Sequence, residues 1–101
     1  MADWKSIWKQ ADMAKTMTIL EHDFTYFATL LKEYPNDGMV HYTKGLAHET
    51  LGEKQEALKE FEIAKSLFPM KRWKDIADSA ISRIQGTKGK IITDPNEEVV
   101  F

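Results

Sequence analysis

The 101-residue chain contains no cysteine, so a disulfide staple, a thiolate nucleophile and a thiolate metal ligand are all excluded. Its uncharged apolar runs extend for only a few residues, far short of the ~20 that a membrane-spanning helix needs. No basic-then-apolar leader follows Met1, and the expected location is the cytoplasm. Net charge is equally scarce. Fourteen Lys and Arg against 16 Asp and Glu leave −2, which provides no general attraction to nucleic acid or anionic lipid. Glycine is confined to five positions, none of them in a phosphate-binding loop. Gly86-Thr87-Lys88-Gly89-Lys90 follows a predicted helix instead of preceding one, so it would offer an anion carbonyl ends and not amide donors.

What the chain does have is helical periodicity. Behind Asp3, a good cap, Trp4, Ile7, Trp8, Ala11 and Ala14 recur at three- and four-residue steps and predict a first helix over 3–15. Thr18 and Glu21 have capping-box spacing, and Leu20, Phe24, Phe27, Leu30 and Leu31 line a second helix that stops at Tyr34-Pro35. Asn36-Asp37-Gly38 is turn chemistry leading into a third helix over 39–51. Gly45 lies inside that helix at a cost of ~1 kcal/mol relative to Ala, which predicts a neighbouring helix too close to admit a side chain. Gly52 ends the helix, because glycine takes positive φ freely. In the fourth helix, 53–68, Ala57, Phe61, Ala64 and Phe68 form one apolar stripe that Pro69 closes. Trp73, Ile76, Ala77, Ala80, Ile81 and Ile84 then mark a fifth helix over 70–85. The stretch 86–101 changes character, with Asp94-Pro95-Asn96 a turn signal between two β-prone runs, and reads as a flexible or hairpin-like tail.

The ordered set Gly45, Ala47, Gly52, Ala57, Phe61, Ala64 and Pro69 resembles the tetratricopeptide repeat (TPR), a helix-turn-helix unit of about 34 residues. His41 and His48 depart from it, standing where the family usually has Trp and Tyr. Pro35 and Pro69 are separated by one such repeat length, each behind an aromatic, so the first hairpin reads as a degenerate copy. In that register Ala11 matches Gly45, Phe27 matches Phe61 and Leu30 matches Ala64, while Asp23 falls where Ala57 stands. The resemblance implies an all-α fold of two TPR-like antiparallel hairpins, 3–35 and 36–69, plus a C-terminal capping helix, 70–85, forming an α-α superhelix over 1–85 with a tail at 86–101.

The resemblance also implies a concave groove that takes a peptide or helix of another protein. Its positions are Met39, Tyr42, Leu46 and Glu49, joined through the repeat offset by Lys5, Trp8, Asp12 and Lys15. The branch of the family that clamps acidic C-termini with Lys, Asn and Arg is not matched, because Trp8, Asp12 and Thr43 occupy the corresponding sites and only Lys71 is a loose candidate.

Little else promises chemistry. His41 and His48 lie seven apart on one helix, ~10.5 Å between rings, too far to share a metal ion, and are expected to pack. Glu21-His22-Asp23 lacks a nucleophile, and adjacent helical residues splay apart. No enzyme activity, cofactor or metal is therefore expected. Lys71, Arg72 and Lys74 around Trp73, with Lys88 and Lys90 downstream, form the one basic cluster holding an aromatic, as a single-strand nucleic-acid contact requires. Trp73 sits on the apolar side of its helix, so a core anchor is preferred and nucleic acid is not expected.

The resulting expectation is a non-catalytic adaptor or scaffold. The alternatives are a homo-oligomerisation module and an accessory subunit of an enzyme complex that contacts nucleic acid through Lys71, Arg72 and Lys74. Two and a half repeats leave Trp4 and Ile7, or Ile81 and Ile84, short of cover, so weak self-association is expected too.

Overall fold

A computed structural model describes residues 4–86 and shows five helices, α1 (Trp4–Glu21), α2 (Thr25–Glu33), α3 (Gly38–Thr50), α4 (Lys54–Leu67) and α5 (Lys71–Gly86), with no strand among the described residues. None of these helices is long and apolar enough to cross a membrane. The Asp3 cap and the turn signal at Asp94-Pro95-Asn96 lie outside the described residues.

The hairpin of α3 and α4 is the most extensively packed pair. Asp37 starts it by accepting the amides of Met39 at 2.9 Å and Val40 at 3.2 Å, which satisfies two donors that a helix leaves open at its N-terminus. Gly52, at φ +82°, ends α3, and the Glu53 amide returns to the His48 carbonyl at 2.8 Å. Gly45 lies where the two helices meet: a Cβ there would stand 2.7 Å from Cε1 of Phe61, a distance that real Cβ atoms essentially never reach. Gly38 meets Phe68 in the same way, with a Cβ position 2.8 Å from the ring. Small residues thus give the two aromatics their seats.

The first hairpin differs from the sequence expectation. α1 does not stop at Lys15 but runs on to Glu21, and α2 begins at Thr25, not near Thr18. Thr18 is therefore no cap; it is fully buried in α1 with its hydroxyl unpartnered. The turn falls instead at His22, with φ +53°, and at Asp23, whose carboxylate accepts the Thr25 amide at 3.0 Å and hydroxyl at 2.6 Å. Those two bonds hold the Asp23 carboxyl below its ordinary range. A helix–turn choice between two sites of comparable capping chemistry is decided by packing. Continuing α1 past Lys15 brings Thr18 into line with Ile7, Ala11 and Ala14 on the buried side of the helix. The cost falls on Leu20, which was expected on the apolar line of the second helix but is 74% exposed.

The core runs through the molecule as adjoining clusters. Ile7, Ala11, Ala14, Phe27, Leu30, Val40 and Ala47 join α1 and α2 to α3. Ala57, Phe61, Ala80, Ile81 and Ile84 join α4 to α5. Ile81 and Ile84 are thus buried and do not lack cover, and the same holds for Ile7; the apolar side chains left open are Trp4, Met13 and Leu20 on α1, with Ile63, Met70 and Ile76 farther along.

A candidate binding cleft between three helices

The cleft is built from the same sides of α1, α3 and α5. Lys5, Trp8, Lys9, Asp12 and Lys15 line it from α1, Met39, Tyr42, Thr43 and Leu46 from α3, and Trp73 and Ile76 from α5, around about 460 Å³. Of the groove residues expected from sequence, Lys5, Trp8, Asp12, Lys15, Met39, Tyr42 and Leu46 are brought together. Glu49 is not among the lining residues. It forms a bidentate ion pair with Arg83 of α5, with Nε to Oε2 at 2.9 Å and Nη2 to Oε1 at 2.6 Å, and its carboxyl is accordingly held below the usual range.

Three positions had no place in the sequence expectation: Lys9, Trp73 and Ile76. For the two on α5 a signal existed. Trp73 stands one repeat length beyond Met39, and Ile76 one beyond Tyr42, so carrying the spacing forward by a further step names both. The same step connects Glu49 with Arg83, the ion pair that ties α3 to α5.

All three tryptophans belong to one aromatic succession. Trp4 contacts Trp8 at 5.2 Å between ring centroids, Trp8 meets Trp73 edge-on at 5.2 Å, and Trp73 stacks on Phe68 at 6.0 Å. Tyr42 continues it, at 6.4 Å from Phe68 and 5.3 Å from Phe61. Such offset and edge-on pairs are worth ~0.5–1.5 kcal/mol each beyond their buried area. They close one end of the cleft by joining α1 to α5. Next to that end a second hollow of about 640 Å³ is bounded by Trp4, Trp8, Met39, Phe68, Met70 and Trp73.

Tyr42 and Leu46 are only partly exposed and also pack on the α4–α5 core, so they serve the cleft and the fold together. Burial pushes the Tyr42 hydroxyl above its ordinary range. The exposed cleft residues are Lys5, Lys9, Asp12 and, at 39%, Ile76. Of the basic cluster, Lys71 pairs with Asp75 at 2.9 Å, Lys74 donates to the Lys65 carbonyl at 2.8 Å, and the Arg72 guanidinium lies 5.4 Å from the Trp73 ring centre. Trp73 is half-buried against Ala64, Phe68 and Ala77, as an anchor with one face left to the cleft.

The two histidines of α3 sit away from the cleft, each opposite a carboxylate. His41 Nδ1 donates to Glu60 at 2.9 Å and its Nε2 to the Pro35 carbonyl at 2.8 Å. Both partners are acceptors, so the arrangement favours the doubly protonated ring. The Glu60 hydrogen bond raises its pKa most, against burial, which lowers it. Burial alone would raise Glu60, but His41 and Lys44 outweigh it and leave its carboxyl low. His48 donates to Glu53 at 2.8 Å and is stacked on Phe24 at 4.0 Å, while His22 reaches the other Glu53 oxygen at 3.0 Å. The matching signal in the sequence is a seven-residue spacing on both sides, His41 and His48 facing Glu60 and Glu53 in antiparallel order.

Comparison of the chain with family models, with curated proteins and with solved structures yields no match.

Proposed function

We propose that the chain is a non-catalytic adaptor of tetratricopeptide type, which holds a peptide or a helix of another protein in the α1–α3–α5 cleft. The observation that supports this reading is the convergence on a single surface of positions that stand one repeat length apart. Lys5, Met39 and Trp73 form one such series and Trp8, Tyr42 and Ile76 another, and all six line the cleft. A repeated helical unit presents equivalent residues to a continuous concave face, and this face carries Trp8, Tyr42 and Trp73, residue types in which interaction hot spots are enriched. Elsewhere Arg83–Glu49, Lys44–Glu60 and Lys65–Asp78 hold helices to one another, while in the cleft Lys15 pairs with Asp12 at 3.4 Å.

The test uses the exposed cleft residues, since Tyr42→Ala with Leu46→Ala would also damage the core. Ile76→Asp combined with Lys9→Glu should abolish capture of the partner in a pull-down read by mass spectrometry, with the wild type processed in parallel. Lys9 is exposed and Ile76 is 39% exposed, so the pair should cost about 1 kcal/mol and lower the melting temperature by roughly 4–8 °C without unfolding the chain. Equal recovery of the same proteins by both chains would refute the reading.

A further inference from the structure

We propose that residues 94–101 of this chain turn back into the α1–α3–α5 cleft and occupy it in cis, so that an outside partner must displace them. This rests on the reading of the cleft as a peptide groove. Reach permits it. From Trp73 to Gly86, α5 covers about 20 Å, and the fifteen residues that follow Gly86 can extend to about 50 Å. A segment leaving Gly86 starts beside Arg83, whose ion pair with Glu49 marks the end of the cleft away from Trp73.

The charges are complementary and in the right order. The α1 wall sets Lys5, Lys9 and Lys15 against one acid, Asp12, which lies 3.4 Å from Lys15 and leaves the wall a net positive charge. Residues 94–101 carry Asp94, Glu97 and Glu98 with no cation, and the acids precede Val99-Val100-Phe101. A chain running back from Gly86 passes Lys15 and Lys9 before it arrives at the hollow bounded by Trp4, Trp8 and Trp73. This places Glu97 and Glu98 alongside the lysines and Phe101 among the tryptophans. The short tether keeps the segment at a millimolar effective concentration, which favours the same molecule over a second copy.

The absence of cysteine allows a clean test on the full chain. A nitroxide attached to Val100→Cys in ¹⁵N-labelled protein should broaden the indole N–H signals of Trp8 and Trp73 until they are lost. A label on Thr93→Cys, outside the docked residues, guards against an effect of changing Val100 itself. Glu97→Lys with Glu98→Lys, or high salt that screens the lysines, should restore the signals. Intact indole signals with both labels at low salt would overturn the proposal. So would broadening that appears in full when spin-carrying chains without ¹⁵N are mixed with ¹⁵N chains that carry no spin, which would assign the occupant to a second copy. If the signals stay intact while Ile76→Asp with Lys9→Glu still loses the partner, the docking of the segment fails and the adaptor reading survives. Lost signals together with unchanged partner capture would instead leave the segment docked and remove the adaptor.

Discussion

Gly45→Ala adds a single methyl group and sets two known effects against each other. Alanine in the middle of a helix is better than glycine by ~1 kcal/mol, which alone would stabilise the protein. The new Cβ, however, would stand 2.7 and 2.8 Å from two ring carbons of Phe61. That ring is fully buried among Ala57, Ala80, Ile81 and Ile84 and is backed by Tyr42 at 5.3 Å, so it has no free space to swing into. Overpacking of this kind costs ~1–3 kcal/mol, and the net expectation is a loss of about 0–2 kcal/mol. Gly86→Ala is the control, because nothing lies within 4 Å of its Cβ position; it should gain a few tenths to ~1 kcal/mol. For a domain of this size each kcal/mol moves the melting temperature by ~4–8 °C, so thermal unfolding followed by circular dichroism separates the two variants easily. Phe61→Leu should relieve the clash, and the double-mutant cycle should show a coupling of about 0.5–3 kcal/mol, as residues in contact do. A Gly45→Ala chain that melts as high as Gly86→Ala, or a cycle that is strictly additive, would refute the close approach of α3 and α4.

Two more expectations follow from polar groups in the interior. The Thr18 hydroxyl is buried without a partner, and an unsatisfied group of this kind costs ~1–3 kcal/mol, so Thr18→Val, which keeps the shape, should raise the denaturant midpoint; an unchanged or lower midpoint would show that the hydroxyl is satisfied. His41 has a pKa raised above its ordinary value, chiefly by Glu60. A raised folded pKa gives stability that is full below the unfolded value and fades as pH climbs through the folded one. The melting temperature should therefore fall as the pH climbs above about 6.5, the ordinary histidine value, and His41→Gln should flatten that part of the profile. A slope retained in the His41→Gln chain would place the titration elsewhere.

The second hairpin was open to sequence reading because every device in it is local or nearly so. Asp37 caps through amides two and three residues on, Gly52 needs only its own φ, and the helical stripe of Ala57, Phe61 and Ala64 is periodic within one element. The first hairpin was less legible. Thr18 and Glu21 on one side, His22 and Asp23 on the other, both offer turn chemistry, and local propensity could not rank them. Burial of Thr18 against the rest of the chain decided the matter, and that term depends on residues far away in sequence.

By itself the sequence determined that the chain is helical and where most helices stop, since these follow from backbone conformation and periodicity. Only the tertiary structure decided which of the expected groove residues face open space. Leu46 and Tyr42 are shared with the core, Glu49 is consumed by Arg83, and Trp73 and Ile76 complete a wall that α1 and α3 could not close alone. Those outcomes depend on distances between helices, and such distances are set by the summed packing of many side chains, which no single spacing along the chain encodes.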